Sequence, residues 1–263
     1  MSGKKDPYLI YGRRPALEFF RNMQNSDQIE VIYLSQSAAL SLKHEIEGMV
    51  PGRLTSSLPR KNIDRMFPGI NHQGIVIRMK KGFSAQKNPS FGDWKSLFEH
   101  GEGLVVLLDR IQDPFNTGNI IRTAEALGAA GAVITGKGAS PGPTVDRASA
   151  GASMHLPHFQ IQNADQVIEF AKEHHYWVCS SVSEADLDLS VISEKQLHLY
   201  TTDLADLPPP EQLLLIIGNE GAGVKNLILK KTDFFITIPL SGETSSLNAG
   251  TAAGILMDRM IHR

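Results

Sequence analysis

The chain has 263 residues and a mass of 28.8 kDa, enough for one large domain or two ordinary ones. With 41% hydrophobic and 21% charged residues, its composition excludes the disordered, collagen-like and coiled-coil classes. No apolar run approaches the roughly 18 residues of a membrane helix, and no secretion signal is present, so we expect a cytoplasmic protein. The single cysteine, Cys179, excludes an internal disulfide and is predicted to be a small core residue on a buried strand.

The formal net charge of -2 is distributed unevenly along the chain. Residues 1–90 carry 14 Lys and Arg against 7 Asp and Glu, a net charge of +7. The remaining residues carry 12 against 21, a net charge of -9. A basic front part favours contact with a polyanion such as nucleic acid, and an acidic second part would then hold the chemistry. A chance asymmetry of a solvated surface is the alternative, because the basic residues are scattered.

The front part of the chain reads as a compact α/β unit followed by a linker. Apolar spacing predicts helices over 14–23 and 37–50 and strands over 28–36 and 74–80. The polar stretch KGFSAQKNPSFGD then marks a boundary. We therefore predict an N-terminal domain over 1–85, a linker over 86–100 and a second domain over 101–263.

Strands and helices alternate in the second domain. Apolar runs predict strands over 104–109, 131–135, 176–182, 197–202, 213–218 and 234–239, and helices over 117–128, 164–174 and 248–262. Continuous Val, Ile and Leu strands joined by crossover helices are typical of a largely parallel sheet covered on both faces. The predicted fold class is therefore α/β.

The sequence lacks a P-loop, a dinucleotide-binding fingerprint and a metal-ligand pattern. The segment GASPGPT follows a strand but lacks the Gly-x-x-x-x-Gly-Lys-Ser/Thr pattern of a phosphate-binding P-loop. Gly218, Gly221 and Gly223 follow a strand as G-x-x-G-x-G, the reverse of the dinucleotide fingerprint. The histidine pairs of the second domain have no cysteines or convergent carboxylates beside them, so no metal site is predicted.

Three polar clusters remain, and each follows an apolar strand, where open α/β sheets form ligand crevices. The first cluster spans residues 109–128. In it, Asp113 and Pro114 form a turn and Asn116 can cap the following helix. Arg122 lies about 1.7 helical turns beyond Asn116. Capping is thus one explanation for Asn116, and a role in a site is the other.

The second and third clusters cover 216–224 and 238–257. In the second, Glu220 stands among glycines, and its carboxylate either forms bonds within a site or stabilises its own loop. In the third, Ser246 and Asn248 precede a helix rich in small residues, so helix capping competes with a functional role. The small residues of that helix allow close approach of another backbone.

In this order, the clusters resemble motifs 1, 2 and 3 of the SpoU/TrmH family of ribose 2'-O-methyltransferases, members of the SPOUT superfamily. The matching residues are Asn116, Gly118, Arg122, Thr123 and Ala124 in motif 1, Gly218, Glu220 and Gly221 in motif 2, and Ile238, Pro239, Ser246, Leu247 and Asn248 in motif 3. Motif 3 departs from many relatives, which have Val-Ser where this chain has Ala249 and Gly250. The segments YGRRPALEFF and HQGIVIRM resemble the N-terminal substrate-binding domain of the family.

The resemblance implies a C-terminal SPOUT-type α/β knot, a trefoil-knotted parallel sheet, with a small N-terminal α/β RNA-binding domain. It implies that the chain uses S-adenosyl-L-methionine to methylate a ribose 2'-hydroxyl, most similarly to bacterial enzymes acting on a guanosine of 23S ribosomal RNA. The implied cofactor contacts are Gly218, Ile238 and Leu247. The implied catalytic residues are Asn116, Arg122, Glu220, Ser246 and Asn248. A homodimer is implied as well.

Two questions stay open at this stage. The family assigns the arginine matching Arg122 as the base that receives the hydroxyl proton. A guanidinium is permanently protonated in proteins, so a clamp on an RNA phosphate is the alternative role for Arg122. Ribosomal RNA is the predicted partner, and the alternatives are a transfer-RNA ribose 2'-O-methyltransferase and a non-catalytic RNA-binding or ribosome-assembly factor.

Overall fold

Two sheets organise the chain. The computed structural model describes residues 7–21, 26–46, 52–80, 94–99, 103–183, 200–201, 212–244 and 246–262. The ends of the two helices predicted in the front part, the stretch 81–93 and most of the strand predicted at 197–202 lie outside the described residues.

The N-terminal sheet contains strands β1 (Leu9–Tyr11), β2 (Ile29–Ser35), β3 (Thr55–Leu58) and β4 (Ile75–Met79) in the order β1-β4-β2-β3. Strand β4 is antiparallel to β1 and β2, and β2 is parallel to β3. The helices are α1 (Arg13–Arg21), α2 (Gln36–Ser41), α3 (Lys43–Ile46) and α4 (Arg60–Met66). The sequence did not predict β1, β3 or α4, which are too short to show a clear periodicity.

Both faces of this small sheet are covered. On one face, α1 packs Ala16, Leu17 and Phe20 against apolar side chains of β2 and β4. On the other face, Ile63 of α4 packs beside Val76 of β4. Since successive side chains of a strand point to opposite faces, apolar runs in β2 and β4 serve both cores.

The second sheet contains seven strands in the order β7-β6-β5-β10-β8-β11-β9, and every described pair is parallel. The strands are β5 (Gly103–Asp109), β6 (Gly131–Thr135), β7 (His158–Ile161), β8 (Trp177–Ser181), β9 (Tyr200–Thr201), β10 (Gln212–Ile217) and β11 (Phe234–Ile236). The helices are α5 (Ser96–Glu99), α6 (Pro114–Ala126), α7 (Pro143–Ala148), α8 (Ala164–Glu173), α9 (Asn226–Leu229) and α10 (Ala249–Ile261). None of the helices in the described ranges has the length and apolar character needed to cross a membrane.

The large sheet is buried on both faces, as predicted for a parallel α/β sheet. Leu104, Val106 and Leu108 of β5 face the core under α6 and α10. Val105 and Leu107 of the same strand face the core that α5 and α8 complete on the other side. The predicted α/β class is confirmed, and the trefoil knot stays a prediction.

Cys179 lies on β8 with no exposed surface. It packs in the core beneath α6 and α10, among side chains of the neighbouring strands. The prediction of a small core residue on a buried strand is therefore confirmed. The buried position agrees with the usual behaviour of cysteine as a small apolar side chain.

Helix α6 begins earlier than the sequence predicted. Its first residue is Pro114, and the N-cap is Asp113, whose Oδ1 accepts a hydrogen bond from the Phe115 N–H at 2.8 Å. Proline suits the first helical position because its missing N–H needs no partner there. The predicted capping role of Asn116 is therefore wrong, since Asn116 lies inside the helix and its side chain is available for other contacts.

Strand β11 ends earlier than predicted. The strand was predicted over 234–239, but it stops at Ile236. Pro239 lacks a backbone N–H and cannot donate to a strand ladder, which explains why the strand does not extend to that residue. Ile238 thus lies in the irregular segment that follows the strand.

The small residues of α10 accommodate α6 of the same chain. A Cβ atom on Gly250 would lie 3.4 Å from the Cβ of Asn119, and one on Gly254 would lie 3.6 Å from Cγ2 of Thr123. The sequence predicted that another backbone approaches this helix closely. In the structure that backbone is α6 of the same chain. On another face α6 packs closely against α7, since a Cβ on Gly118 would overlap the Cβ of Ala148.

A buried carboxylate joins the two domains. The hydroxyl of Tyr8, next to β1, donates a hydrogen bond to Oδ2 of Asp146 in α7. The hydroxyl of Ser153 donates to the other oxygen, Oδ1, at 2.8 Å. Burial raises the pKa of Asp146 above its ordinary value, and the two hydrogen bonds oppose that shift.

Further contacts join the same two parts of the chain. Glu18 of α1 pairs with His155 at 2.7 Å. Gly151 adopts a positive φ of 95° and lies so close to α1 that a Cβ there would be 2.9 Å from Cγ of Glu18. Met154 packs against the core of the N-terminal domain. The segment 143–155 thus connects the N-terminal domain to α6.

The raised pKa of Asp146 predicts a pH-dependent stability. Between the ordinary value of 3.8 and the raised value, the folded chain binds a proton that the unfolded chain has lost, so stability falls as pH rises. The variant Asp146→Asn has no such titration. We expect the free energy of unfolding of the wild-type chain, relative to this variant, to decrease as the pH rises above about 4 in urea titrations. A difference that is independent of pH would contradict the argument.

Candidate active site

A crevice of about 320 Å³ opens at the carboxyl ends of three neighbouring strands. It is lined after β8 by Ser181, Val182 and Ser183, after β10 by Gly218, Asn219, Glu220 and Gly223, and after β11 by Thr237, Ile238 and Leu240. The segment before α10 and the helix itself close it with Thr244, Ser246, Leu247, Ala249, Ala252 and Leu256. Carboxyl strand ends are where open parallel sheets bind ligands.

Asn116 connects two distant parts of the chain beside this crevice. Its Nδ2 donates a hydrogen bond to Oε1 of Glu220 at 2.7 Å. Its Oδ1 accepts one from Nδ2 of Asn248 at 2.9 Å. The side chain of Asn116 is only 7% exposed, so both of its polar atoms need such partners. The three side chains form one hydrogen-bonded row that joins α6, the loop after β10 and the start of α10.

Asn248 has a second function in this row. It is the N-cap of α10, and its Oδ1 accepts hydrogen bonds from the N–H groups of Gly250 at 2.9 Å and Thr251 at 3.3 Å. An asparagine at an N-cap satisfies donors that the helix itself leaves free. The capping and site explanations for Asn248 are therefore compatible, because its oxygen caps the helix while its nitrogen contacts Asn116.

The loop after β10 has a fixed turn geometry. The Asn219 N–H donates to the Gly223 carbonyl at 3.1 Å, and the Gly223 N–H donates back at 2.9 Å. A Cβ on Gly218 would lie 2.5 Å from the carbonyl carbon of Gly223, and Gly223 itself has a φ of 58°. Gly218 and Gly223 are therefore required by close approach and by left-handed backbone, whereas Gly221 meets neither condition.

An ion pair supports this loop from the neighbouring strand. Asp109, buried at the end of β5, accepts through Oδ2 from Nη2 of Arg110 at 3.0 Å and from the Lys225 N–H at 3.3 Å. Nη2 of Arg110 also donates to the Gly223 carbonyl at 3.2 Å. Nδ2 of Asn219 donates to the Arg110 carbonyl at 2.9 Å. Two charged residues of β5 and its end thus hold the loop that carries Glu220.

Sequence reasoning assigned no role to Asp109, Arg110 or Asn219. A signal for the first two was present, because a carboxylate and a guanidinium directly follow an entirely apolar strand. Such a pair at a buried strand end needs a partner, since unpaired buried charges are costly. Asn219 gave a weaker signal, as it stands between two motif residues and asparagine is frequent in turns.

The structure brings together seven of the eight predicted site residues. Gly218, Glu220, Ile238, Ser246 and Leu247 line the crevice. Asn116 and Asn248 connect to Glu220 through the hydrogen-bonded row. Ser246 and Leu247 are exposed at the crevice edge, whereas Asn116 is buried behind Glu220.

Arg122 lies elsewhere, so the expectation that it stands beside the other motif residues is not met within one chain. Its exposed side chain lines a separate cleft with Arg14 and Arg21 of α1. Six residues along a helix with 3.6 residues per turn carry Arg122 about 9 Å from Asn116 along the axis and rotate it to another face. The residue spacing fixes this separation once α6 is a continuous helix.

The described residues contain no group of three or more His, Cys, Asp or Glu side chains arranged to hold a metal ion. His155 pairs with Glu18 at the domain junction, and the buried His158 contacts the Leu156 carbonyl through Nδ1 at 3.0 Å. The polar groups of the crevice are hydroxyls, amides and the Glu220 carboxylate. This set suits hydrogen bonding to a polar ligand that also has apolar parts.

Comparison with known protein families agrees with this geometry. Residues 103–258 match the SpoU rRNA Methylase family, and residues 9–83 match the domain described as RNA 2'-O ribose methyltransferase substrate binding. The chain belongs to the SpoU rRNA methylase family. The family predicted from the three motifs is confirmed, and with it the assignment of the chain as an RNA methyltransferase.

Individual relatives support the same membership. YacO of Bacillus subtilis (strain 168), named as a TrmH family tRNA/rRNA methyltransferase, is 35% identical over 203 residues, covering 76% of this chain and 74% of YacO. The AdoMet complex of the SpoU methyltransferase AviRb from Streptomyces viridochromogenes has a TM-score of 0.70 at 22% identity and covers 97% of this chain and 89% of that one. The AdoMet-bound rRNA methyltransferase from Sinorhizobium meliloti has a TM-score of 0.68 at 21% identity, with 97% and 87% covered. These structures confirm the SpoU fold of the chain.

The contact between Asn116 and Glu220 predicts an energetic coupling in this SpoU family member. The variants Asn116→Ala and Glu220→Ala should show a coupling free energy of about 1 kcal/mol in a double-mutant cycle, because each removes the partner of the other. Urea unfolding of the four chains measures it. Phe115→Ala, on the same helical turn but exposed, is the matched control and should be additive with Glu220→Ala. Additivity of both pairs would show that the row does not stabilise the fold.

Proposed function

We propose that the chain transfers the methyl group of S-adenosyl-L-methionine to a ribose 2'-hydroxyl, on a guanosine of 23S ribosomal RNA. The observation that carries this proposal is the crevice at the carboxyl ends of the strands, which residues of motifs 2 and 3 line together. Asn116 of motif 1 is joined to that crevice by its hydrogen bonds to Glu220 and Asn248. The family model supports the RNA substrate, and the resemblance to bacterial 23S enzymes supports the specific nucleotide. The trefoil knot belongs to the same proposal.

The crevice fits the proposed cofactor. Its volume of about 320 Å³ lies in the range of small-molecule sites. Ile238, Leu247 and Leu256 provide apolar surface, and Gly218 lines the crevice with backbone atoms alone. The polar ends of the cofactor would meet backbone groups and the hydroxyls of Thr237 and Ser246. When bound, the cofactor supplies an electrophilic methyl group attached to a sulfonium sulfur.

The protein has to prepare the ribose hydroxyl for attack. A 2'-hydroxyl is protonated at neutral pH, so the site must orient it within about 3–3.5 Å of the methyl carbon and stabilise the charge that develops. Glu220 faces the crevice and accepts hydrogen bonds from Asn116 and Asn219, which fix its orientation. We assign Glu220 to the hydroxyl as a hydrogen-bond acceptor, with Ser246 beside it at the crevice edge.

The position of Arg122 supports one of its two predicted roles. As a base, its guanidinium would need contact with the reacting hydroxyl, but in a single chain it lines the separate cleft beside α1. As a clamp, it needs only an RNA phosphate within reach, and a permanently charged planar guanidinium suits that contact. The proposal therefore gives Arg122 an electrostatic role on the RNA backbone.

Methyl transfer can be tested directly. Full-length protein, labelled S-adenosyl-L-methionine and 23S ribosomal RNA from cells that lack the protein should yield labelled 2'-O-methylguanosine, identified by mass spectrometry of the digested RNA. A parallel reaction with transfer RNA tests the alternative substrate, since the name of YacO mentions both transfer RNA and ribosomal RNA. Label in a base instead of a ribose, or in neither RNA, would overturn the proposal.

The role of Glu220 predicts a large loss of turnover. Glu220→Ala should lower kcat by about 10²-fold, the usual size of an effect on proton transfer to or from a positioned side chain. Glu243→Ala is the matched control, because Glu243 is exposed in the motif 3 segment and does not line the crevice. Equal activity of the two variants would exclude a contact between Glu220 and the reacting hydroxyl.

The proposed homodimer has its own test. Phe115 in α6 and Leu227 in α9 expose 57% and 64% of their side chains beyond the ends of the neighbouring strands β5 and β10. Exposed apolar side chains at one end of a sheet are candidates for burial in an assembly. Sedimentation equilibrium should show a dimer for the wild-type chain and a weakened dimer for Phe115→Arg. A monomeric wild-type chain at micromolar concentration would refute the dimer.

A further inference from the structure

The cleft that contains Arg122 lies between the two domains. Its volume is about 450 Å³. Residues of α1 in the N-terminal domain form one wall, and residues of α6 and of the segment 149–155 form the other. The cleft is therefore built jointly by the substrate-binding domain and the methyltransferase domain.

Two guanidinium groups in this cleft have no ionic partner among the residues that the structure describes. Arg21 pairs with Glu18 at 2.8 Å, and Glu18 also pairs with His155 at 2.7 Å. Arg14 and Arg122 are both exposed, and neither has a carboxylate of the described residues within the 4.0 Å of an ion pair. An anionic ligand that enters the cleft thus meets one available guanidinium from each domain.

Carboxylates in the same cleft limit what the ligand can be. Glu45, exposed, and Glu125, half-buried, also line it. The balance of charge suits one or two phosphates held by direct bidentate contacts and disfavours a long polyanionic track. Glu125 therefore repels the anionic ligand that Arg122 attracts. Removal of the Glu125 charge should strengthen binding, whereas removal of the Arg122 charge should weaken it.

Helix α6 connects this cleft to the crevice. Asn116 lies at the crevice end of the helix, and Arg122 lies about 9 Å further along its axis. A strand of RNA whose ribose enters the crevice can follow α6 toward the junction. The Tyr8–Asp146 and Glu18–His155 contacts hold α1 against the segment beside α6, so the two helices that carry Arg14 and Arg122 are placed side by side before RNA binds.

We infer that Arg14 and Arg122 form a composite phosphate site, one guanidinium from each domain, that holds a backbone phosphate of the substrate RNA at the junction of the two domains. This inference rests on the proposed function for the nature of the ligand. It adds Arg14 to the residues that bind substrate. The site also explains how the N-terminal domain positions RNA relative to the crevice, since the shared phosphate connects the two.

Binding of full-length protein to 23S ribosomal RNA, measured by filter binding between about 50 and 200 mM salt with S-adenosyl-L-homocysteine present, tests the site. Arg14→Gln and Arg122→Gln should each weaken binding about tenfold and reduce the slope of log K against log salt by about 0.7–0.9. The double variant should lose less than the two single losses combined, because both side chains contact the same phosphate. Glu125→Gln should strengthen binding.

Arg65→Gln is the matched control for these variants. Arg65 is an exposed arginine of the same domain, on α4, which covers the face of the small sheet opposite to α1. It should bind RNA as the wild-type chain does. The inference is overturned if Arg14→Gln keeps the wild-type affinity and salt slope, or if Arg65→Gln loses as much as Arg14→Gln. Thermal unfolding of each variant shows that the fold is retained.

The outcome separates this inference from the proposed function. If the wild-type chain methylates ribosomal RNA and Arg14→Gln binds normally, the composite site fails alone. If the binding pattern holds but no methyl group is transferred to RNA, the proposed function fails and the phosphate site remains.

Discussion

The buried amide of Asn116 is the contact on which the site depends. It donates to Glu220 and accepts from Asn248, so a single side chain ties motif 1 to motifs 2 and 3 across 104 and 132 residues of sequence. A buried amide that loses one partner keeps an unsatisfied polar atom, which costs about 1–3 kcal/mol. The arrangement is therefore cooperative: Asn116 orients both of its partners, and the Glu220 carboxylate is presented to the crevice in one direction.

The parallel sheet explains why these segments meet. Because all described strands of the large sheet run the same way, the residues that follow β8, β10 and β11 emerge at one edge. The strands themselves are apolar and buried on both faces, so only the loops can carry polar groups. Asp109 and Arg110 provide the support for the loop after β10 from the adjacent strand. The polar side chains of the crevice thus lie on irregular segments, but those segments are held in place by a sheet that is buried on both faces.

The segment 143–155 connects the N-terminal domain to the large domain. It contacts α6 through Gly118 and the N-terminal domain through Asp146 and Gly151. Since α6 extends from the crevice to the junction, the same helix relates the position of the substrate-binding domain to that of the crevice.

The sequence by itself determined the α/β class, the parallel sheet and the family. Apolar periodicity and the order of the motifs are properties of the sequence, so they can be recognised before the tertiary structure is known. It also selected Asn116, Glu220 and Asn248, which the structure joins in one hydrogen-bonded row, although it assigned the cap of α6 to Asn116 and not to Asp113. Only the tertiary structure decided that Arg122 leaves the crevice and joins Arg14, since helical rotation and domain packing together set that position. The Tyr8–Asp146 bond was equally beyond sequence reasoning, because 138 residues separate its partners and neither residue type signals a buried contact.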